Sequence, residues 1–444
     1  MRLPTSPPDL NEAFSTADGM FKIMRAANEE CTRTDRYLHW DELRHRKPPK
    51  GLTTTEWWAG LKIRRSSGEQ QIPLVDKNGS AFSFSLTPGM FEKLHLIDLK
   101  CGGSVEGPEP VTNHDTRDRY YISSLVAEAI TSSQLEGAAV TRSVAKEMLR
   151  TGRKPTDKSE RMILNNFLTM QKISGWKNER LTPKLILKIH KMVTRGTLGN
   201  PDQEGRLRRE DEDVRVEDDQ TGEVIHMPPH AKELQSRLEA MCTFANDNKM
   251  QGFLHPAIRS IILHFWLAYD HPFADGNGRT ARAIFYWSML KHKFWMFEFI
   301  SISQQILEAP MKYYRAFLYT ETDSNDLNYF IFHQLSVIQQ AIEKLHTYIQ
   351  RKSDQIAEMQ QLMGRMQEFN HRQLGLLQYA LRNPDAIFTV ASHQNSHRVA
   401  TQTARNDLIA LVKHDLLASH KRGNANLYHP VKDLQNKLKA LRRN

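Results

Sequence analysis

The sequence predicts a mainly α-helical protein that carries a few short β-hairpins. Between residues 115 and 382, apolar side chains recur at steps of three and four, the spacing that places them on one face of a helix. Extended patterns are short and lie beside turn signals, at residues 81–86 and 206–229. We divide the chain into four regions: a small α+β region at 1–114, a helical core at 115–350, a helical linker at 351–383 and a C-terminal domain at 384–444.

The first region combines a predicted hairpin with proline and polar stretches. The turn signal Lys77-Asn78-Gly79 precedes the alternating pattern AFSFSL at 81–86. The segment TEWWAGLKIRR at 55–65 fits either packing on the core or self-association.

Two helices near the centre of the chain are predicted by their apolar spacing. The first spans about 254–270, with Pro256 in its first turn, where a missing N–H costs little. The second begins near Gly278, and the segment 206–229 before them predicts a β-hairpin that two prolines close. The apolar faces consist of Leu254, Ile258, Ile261, Ile262, Phe265, Tyr269, Ala283, Ile284, Trp287 and Leu290.

Residues 326–382 predict long helices with a regular apolar stripe. A coiled-coil seam between two copies of the chain would fit this stripe and leaves a homodimer open, but ordinary core packing is the interpretation we favour. The stripe consists of Leu335, Ile338, Ile342, Leu345 and Ile349.

Composition and charge fit a globular protein that contacts an acidic partner. Hydrophobic residues make up 39% of the chain, and the formal net charge is +10. No apolar run approaches the roughly 20 residues that span a bilayer, and the first residues lack the apolar core of a signal peptide. Cys31, Cys101 and Cys242 are few, odd in number and far apart in the sequence, which suggests neither a disulfide framework nor a spaced metal site. We therefore expect a cytoplasmic protein with reduced thiols and no membrane partner.

The segment 269–282 combines groups that suit a bound polyphosphate. Its Gly-Asn-Gly stretch at 276–278 forms a tight loop at a helix start, where backbone N–H groups and the helix dipole favour an anion. Arg279 and Arg282 lie three positions apart, hence on nearly one face of that helix. Two guanidinium groups beside an anion site suit a di- or triphosphate.

Two further side chains of this segment supply chemistry. Asp275 precedes the anion site, and a carboxylate beside phosphates is a natural ligand for magnesium. His271 carries an imidazole that can accept a proton near neutral pH. His190 lies in the apolar context LILKIHKMV and is better explained as a hydrogen-bonded core histidine than as a second base.

Eight positions of the segment fit the pattern HxFxDGNGRxxR, which resembles the signature of the Fic family of AMP transferases. The resemblance covers about residues 115–350 and implies a Fic helical core with a β-hairpin flap at 206–229. By this resemblance, His271 is the general base, Phe273 a buried anchor and Asp275 the magnesium ligand. The ATP-binding residues that it implies are Gly276, Asn277, Gly278, Arg279 at the β-phosphate and Arg282 at the γ-phosphate.

The activity implied by the resemblance is transfer of AMP from ATP to a Ser, Thr or Tyr hydroxyl of a target protein or of the chain itself. The hydroxyl would attack the α-phosphate in line and pyrophosphate would leave, with Mg²⁺ as the cofactor. The hairpin resembles the flap that clamps a target segment by strand pairing.

A second short pattern lies upstream, where Ser132, Glu136 and Gly137 fit SxxxEG. It resembles the inhibitory motif of Fic proteins that carry their own inhibitory helix, here at about 118–137. By that resemblance Glu136 pairs with Arg282 and takes the place of the γ-phosphate, so that ATP binds in a poor geometry for transfer. The alternative is a plain glutamate before a C-cap glycine. Some relatives also remove AMP with this glutamate, which leaves a bifunctional enzyme open.

The segment 388–430 resembles a winged helix-turn-helix, with a recognition helix from about Thr401 and a wing at 420–426. Arg422 on the wing would contact DNA phosphate or the minor groove. Such domains also dock proteins or form dimers, which stays an alternative. The residues that would meet base edges are Gln402, Thr403, Arg405 and Asn406.

Three functions fit parts of the sequence. A self-inhibited protein AMP transferase is favoured, because a mere nucleotide sensor would not need His271. A DNA-binding regulator with a nucleotide-sensing Fic core is the main alternative. A toxin-like enzyme fits less well because of the built-in inhibition.

Overall fold

The computed structural model describes residues 2–10, 14, 17–28, 37–66, 68–102, 114–217, 221–247, 253–363, 369–397, 399–422 and 425–440. The chain divides into two compact units, residues 1–346 and 347–444. Both are mainly helical, which confirms the predicted fold class, while our finer division into four regions stays a prediction. Within the described ranges, no helix is long and apolar enough to cross a membrane.

The first unit consists of helices and two short antiparallel hairpins. Strand β1 (Gln70–Val75) pairs with β2 (Ala81–Phe84), and β3 (Val216–Glu217) pairs with β4 (Val224–His226). Its helices are α1 (Ala17–Asn28), α2 (Trp40–Leu43), α3 (Thr54–Ser66), α4 (Pro88–Cys101), α5 (His114–Gln134), α6 (Arg142–Thr151), α7 (Lys158–Trp176), α8 (Pro183–Thr194), α9 (Leu234–Asn246), α10 (Pro256–Asp270), α11 (Asn277–Lys291), α12 (Ile302–Glu308), α13 (Pro310–Thr322) and α14 (Asn328–Met363), in which the division between the units falls.

Helices α10 and α11 form the centre of the first unit and pack along each other. Both bury almost every side chain, as is typical of helices that are surrounded by others. The hydroxyl of Ser260 donates to that of Ser288 at 2.8 Å and links the two helices. The helices begin at Pro256 and Asn277, close to the predicted starts. The loop between them contains the segment with the predicted chemistry.

The N-terminal part of the chain packs against the helical core of the same unit. The segment 55–65 lies in α3, where Trp58 is fully buried. Arg65 donates to the carbonyl of Leu38 at 2.8 Å and to the hydroxyl of Tyr329 at 3.0 Å. The sequence left two roles open for this segment, packing on the core and self-association. These contacts support packing on the core.

In its described residues, the second unit has the end of α14 and three further helices before a β-hairpin. Phe388 pairs with Tyr428 on the hairpin through two backbone hydrogen bonds of 2.8 and 2.9 Å. Asp407 is buried and accepts hydrogen bonds from Arg372 at 2.7 Å and His393 at 3.1 Å, which ties the three helices together. The elements are the rest of α14, α15 (His371–Arg382), α16 (Val390–His397), α17 (Thr401–Lys413), β5 (Leu417–Arg422), β6 (Ala425–Pro430) and α18 (Leu434–Ala440).

The residues predicted to contact DNA lie on α17 and β5. Gln402, Arg405 and Asn406 are exposed, and Thr403 is half-buried. Arg422 is the last residue of β5, and the two residues that follow it lie outside the described ranges.

The two described cysteines are free thiols in buried positions. Burial raises the pKa of Cys101 and of Cys242 to about 12, so both stay protonated. Cys31 lies outside the described residues.

Candidate active site

Two residues with positive φ shape the loop between α10 and α11. His271 ends α10 in the left-handed conformation, with a φ of 45°. Gly276 precedes α11 with a φ of 86°, and a Cβ there would come within 2.5 Å of Cγ2 of Thr194. Position 276 therefore requires glycine for its backbone conformation and for the space around it. The turn joins a helix end that carries an imidazole to a helix start that favours anions.

The side chain of Asn277 holds this loop closed. Its Oδ1 accepts the N–H of Phe273 at 3.0 Å, and its Nδ2 donates to the carbonyl of Phe273 at 2.8 Å. Phe273 is fully buried, as expected for an anchor. The side-chain amide of Asn277 is thus occupied within the loop. An anion at this position would be bound by the backbone N–H of Asn277.

His190 supports the loop from α8 and lies flat on the ring of Phe273, with 3.8 Å between the ring centroids. Its Nε2 donates to the carbonyl of Asp275 at 2.9 Å, and its Nδ1 accepts the N–H of Gly205 at 3.0 Å. Burial lowers its pKa to about 4, which keeps the ring neutral. The prediction of a hydrogen-bonded core histidine is confirmed.

The imidazole of His271 has a fixed tautomer. Its Nδ1 lies 3.2 Å from the carbonyl oxygen of Ala268, and a carbonyl can only accept, so Nδ1 carries the hydrogen and Nε2 the lone pair. The loss of surrounding water lowers the pKa of His271 to about 4. The ring is therefore neutral at pH 7, and Nε2 can accept a proton.

Arg208 fixes the backbone beside His271. It is buried, and its Nε donates to the carbonyl of His271 at 2.9 Å. Its backbone N–H donates to the carbonyl of Pro272 at 2.9 Å, and its guanidinium also donates to the carbonyl of Pro229. Arg208 therefore ties both ends of the 208–229 hairpin segment to the loop.

Arg279 and Arg282 extend to different helices although they lie three positions apart. The guanidinium of Arg279 is fully buried and donates to the carbonyl of Val193 at 2.9 Å, with Asp275 at 3.4 Å. Arg282 is equally buried but extends to α5. In this arrangement Arg282 alone of the pair meets the predicted inhibitory segment.

Arg282 binds that segment through three hydrogen bonds. Its Nε donates to the hydroxyl of Ser132 at 2.8 Å, and one terminal nitrogen donates to the carbonyl of Ser132 and to Oε1 of Glu136, both at 2.9 Å. Gly137 follows with a φ of 85° and ends the turn after α5. Glu136 is therefore both the partner of Arg282 and the glutamate before a C-cap glycine.

The carboxylate of Glu136 lies directly above the start of α11. A Cβ placed on Gly278 would be 2.1 Å from Oε1 of Glu136 and 3.0 Å from a nitrogen of Arg282. The absence of a side chain at 278 thus lets a negative group approach the first turn of the helix. That position is the most favourable one for an anion on a helix.

Asp275 has the properties of a magnesium ligand at the mouth of the loop. Its carboxylate is about half exposed, and one oxygen accepts the N–H of Gly276. Magnesium takes one or two carboxylates when phosphates and water complete its octahedron, which Asp275 fits. Within the described parts of the chain, no group of three or more His, Cys, Asp or Glu side chains forms a metal site.

The hairpin β3–β4 lies beside the C-terminal end of α10. His226 on β4 lies 2.8 Å from the carbonyl of Tyr269 through Nε2 and 2.8 Å from Glu321 through Nδ1. Despite burial, which favours the neutral ring, these hydrogen bonds and the charge of Glu321 raise the pKa of His226. The tip of the hairpin, residues 218–220, lies outside the described ranges.

Residues 180–289 match the Fic/DOC family model. The matched range contains both the hairpin and the loop. The chain has the mainly helical Fic fold, and a solved Fic family protein from Desulfovibrio desulfuricans superposes with a TM-score of 0.50. That alignment covers 79% of this chain and 98% of the other, at 17% identity.

Two curated relatives are both named Protein adenylyltransferase Fic. The one from Nematostella vectensis is 31% identical over 164 residues, which are 34% of this chain and 34% of the relative. The one from Aedes aegypti is 32% identical over 152 residues, which are 33% of this chain and 27% of the relative. The chain thus spans about a third of the length of these relatives or less.

Arg208 and His226 are site residues that were not predicted from the sequence. Arg208 lies in the charged run RLRREDED, which is typical of an exposed surface, and nothing in that run distinguishes the one buried arginine. His226 precedes Met-Pro-Pro in the predicted hairpin, and its position beside two prolines was the available signal.

Proposed function

We propose that the protein is an adenylyltransferase that moves AMP from ATP to a hydroxyl side chain of a target protein or of itself. The observation that carries the proposal is the pairing of a neutral imidazole at His271 with a glycine-lined helix start at 276–278. The match of residues 180–289 to the Fic/DOC model and the names of the two relatives support the same reaction.

In this proposal Nε2 of His271 accepts the proton of the target hydroxyl. The hydroxyl oxygen forms a bond to the α-phosphorus of ATP, the bond from that phosphorus to the bridging oxygen of the β-phosphate breaks, and pyrophosphate leaves. A positioned base typically supplies about 10²–10⁴-fold in rate. The tautomer enforced by Ala268 supports this role, because it directs the hydrogen away from Nε2.

The phosphates would lie on the first turn of α11. Backbone N–H groups at 277 and 278, and that of Gly276 once Asp275 turns to magnesium, would hold the α- and β-phosphates, and Arg282 would bind the γ-phosphate once Glu136 has left it. Arg279 would act on the β-phosphate mainly through its charge, since its guanidinium bonds to Val193. Asp275 would hold magnesium, which neutralises charge on the phosphates when bound.

The contact between Glu136 and Arg282 supports self-inhibition. The carboxylate occupies the guanidinium that a γ-phosphate would need and places a negative charge above Gly278. A nucleotide must therefore displace Glu136 or bind without its γ-phosphate in place. In a bifunctional enzyme the same carboxylate would orient a water for removal of AMP, which is the alternative use of this arrangement.

The target protein would dock on the hairpin β3–β4. Its short strands can accept a third strand, which brings a target hydroxyl beside α10. Arg208 supports this role, because it joins the hairpin segment to the backbone of His271.

One labelling experiment tests the proposal. The wild type, Glu136→Gly and the double variant Glu136→Gly/His271→Ala are incubated with magnesium and ATP labelled in the α-phosphate or, separately, in the γ-phosphate. We expect α-label on protein, most with Glu136→Gly and little with the double variant, and no γ-label. Equal transfer of γ-label would indicate phosphorylation, and undiminished labelling by the double variant would remove His271 as the base.

We also propose DNA binding by the second unit, as a separate function. The order of helices, the hairpin and the pairing of Phe388 with Tyr428 support a winged helix-turn-helix, and α17 exposes Gln402, Arg405 and Asn406. A gel-shift of the full chain at rising salt tests this, since phosphate contacts weaken as salt increases. Arg405→Ala should reduce the binding of a selected sequence, and salt-independent or absent binding would leave protein docking as the role of this unit.

A further inference from the structure

A glutamate on α5, two turns before Glu136, has no role in the proposed reaction but makes an unusual set of contacts. Glu128 is buried, with 2% of its surface exposed. Its Oε2 accepts hydrogen bonds from the hydroxyl of Tyr286 at 2.9 Å, the hydroxyl of Ser301 at 2.8 Å and the N–H of Ser303 at 3.1 Å. Its Oε1 accepts the hydroxyl of Ser303.

These four donors come from two elements that α5 packs against, namely α11 and the start of α12. All four donors are neutral groups, namely three hydroxyls and one backbone N–H. Burial of a carboxylate is costly unless its oxygens are satisfied, and here four donors in fixed positions satisfy them. The arrangement therefore specifies one position of α5 along its neighbours, because a displaced helix would leave a charged group and several donors without partners.

The contacts of α5 with α11 follow a strict repeat. Glu128 meets Tyr286, Ser132 meets Arg282, and Glu136 lies over Gly278. Along α5 and the turn that follows it the positions rise by four, while along α11 they fall by four. These two antiparallel segments thus meet at three evenly spaced contacts, which we call the ladder.

The ladder has one end in the nucleotide site and the other end outside it. Glu128 lies six residues before Gln134, the end of α5, which is about 9 Å along the helix, and Glu136 follows two residues later. Glu128 is hydrogen-bonded to Tyr286, Ser301 and Ser303 and acts on Arg282 only through its charge, whereas the other two contacts use Arg282 and Gly278 directly. A change at Glu128 can alter the position of the inhibitory segment without removing a group that binds nucleotide.

We infer that Glu128 is a positioning residue that fixes the register of α5, and through it holds Glu136 on Arg282. The inference rests on the proposed function, in which this contact is inhibitory. When the Glu128 contact weakens, α5 is released at its far end and Glu136 leaves Arg282 more often. The rate of AMP transfer then rises, up to the limit set by removal of Glu136 itself.

The test uses Glu128→Gln, which keeps the shape but replaces an acceptor by an amide donor facing other donors. Tyr286→Phe removes the same contact from α11 and serves if Glu128→Gln does not fold. The matched control is Glu160→Gln on α7, because Glu160 is also a buried carboxylate with four hydrogen bonds, from Arg153 and Thr156, and lies outside the ladder. Each is made with and without Glu136→Gly.

With Glu136 present, we expect Glu128→Gln to raise the initial rate of α-label transfer about fivefold, the factor that corresponds to about one net hydrogen bond. In the Glu136→Gly background it should have less than a twofold effect, since no inhibitory contact is left to release. Glu160→Gln should change neither rate. A folded Glu128→Gln that leaves the rate unchanged, or that alters both backgrounds equally, would overturn the inference.

A second measurement separates this inference from the proposed function. Hydrogen exchange of the backbone amides of residues 123–137 should accelerate in Glu128→Gln and Tyr286→Phe but not in Glu160→Gln. If Glu136→Gly transfers no AMP while exchange accelerates as expected, the proposed function fails and the register role stands. Unchanged exchange in both ladder variants would reject the register role whatever the activity.

Discussion

Replacement of Glu136 is the sharpest test of competition between a carboxylate and a nucleotide for one arginine. Glu136→Gly removes both the charge and the acceptor, whereas Glu136→Gln keeps an acceptor of the same reach and removes only the charge. Ser132 remains bound to Arg282 in both variants, so the guanidinium stays oriented. The two variants thus separate electrostatic exclusion of ATP from simple occupation of the site.

The magnitude follows from the burial of the pair. The contact between Arg282 and Glu136 is 2.9 Å long, and the two side chains are 2% and 23% exposed. A hydrogen bond between charged groups that are mostly shielded from water contributes about 1.5–3 kcal/mol. ATP must break this contact to use Arg282, so Glu136→Gly should tighten ATP binding by about 10- to 100-fold. Glu136→Gln should lie between the wild type and Glu136→Gly.

Calorimetric titration with ATP and magnesium at one fixed salt concentration measures this affinity. Glu92→Gly, at an exposed position on α4, controls for a glutamate lost elsewhere in the same unit. Affinities within twofold of the wild type for both Glu136 variants would refute the competition. An affinity of Glu136→Gln equal to that of Glu136→Gly would assign the whole effect to charge.

Three further predictions concern the loop and the hairpin. The pKa of His271 is about 4 and the charge of Glu136 raises it, so the activity of Glu136→Gly should fall with acid only at or below about pH 4; a fall centred near 6.5 would contradict this. Gly276→Ala should lower the free energy of unfolding in urea by about 1–3 kcal/mol more than Gly79→Ala does. Gly79 has a similar φ, but the space around it is open, so equal losses in the two variants would refute the clash of a Cβ at position 276 with its neighbours. Folding raises the pKa of His226, so this residue stabilises the fold fully at pH values below its usual pKa near 6.5, and the stabilisation is lost as the pH rises through the raised pKa. The free energy of unfolding in urea should therefore fall over that pH range in the wild type but not in His226→Gln. Glu321→Gln should reduce the dependence of that free energy on pH.

The elements that the sequence predicted well are those whose signals are local. The start of α10 follows from apolar spacing and Pro256, and the start of α11 from apolar spacing and Gly278. The turn signal at 77–79 lies between the two strands of the hairpin β1–β2. The loop from His271 to Gly278 is likewise contained in one short segment, so its residues could be assigned chemistry before any contact was known.

The features that could not be predicted depend on partners far along the chain. Arg208 is buried because carbonyls at Pro229 and His271 require a donor, which its charged neighbours do not reveal. The spacing of Arg279 and Arg282 places them on one helix face. Their hydrogen bonds nevertheless go to different helices, from Arg279 to Val193 and from Arg282 to Ser132. The contact between Glu136 and Arg282 was expected from family resemblance alone, because 146 residues separate the two.

The hydrogen bonds of Arg208 also bear on how substrates are selected. Arg208 donates hydrogen bonds to the carbonyls of Pro229, Pro272 and His271. The hairpin and the residue that carries the imidazole are therefore held by the same side chain and backbone. A polypeptide that pairs poorly with the strands would shift the hairpin and, through Arg208, the backbone of His271. The lone pair of the imidazole would then point away from the target hydroxyl. An ill-fitting chain is then rejected twice, by loose attachment and by slow proton removal, so discrimination between targets should be larger in turnover than in binding.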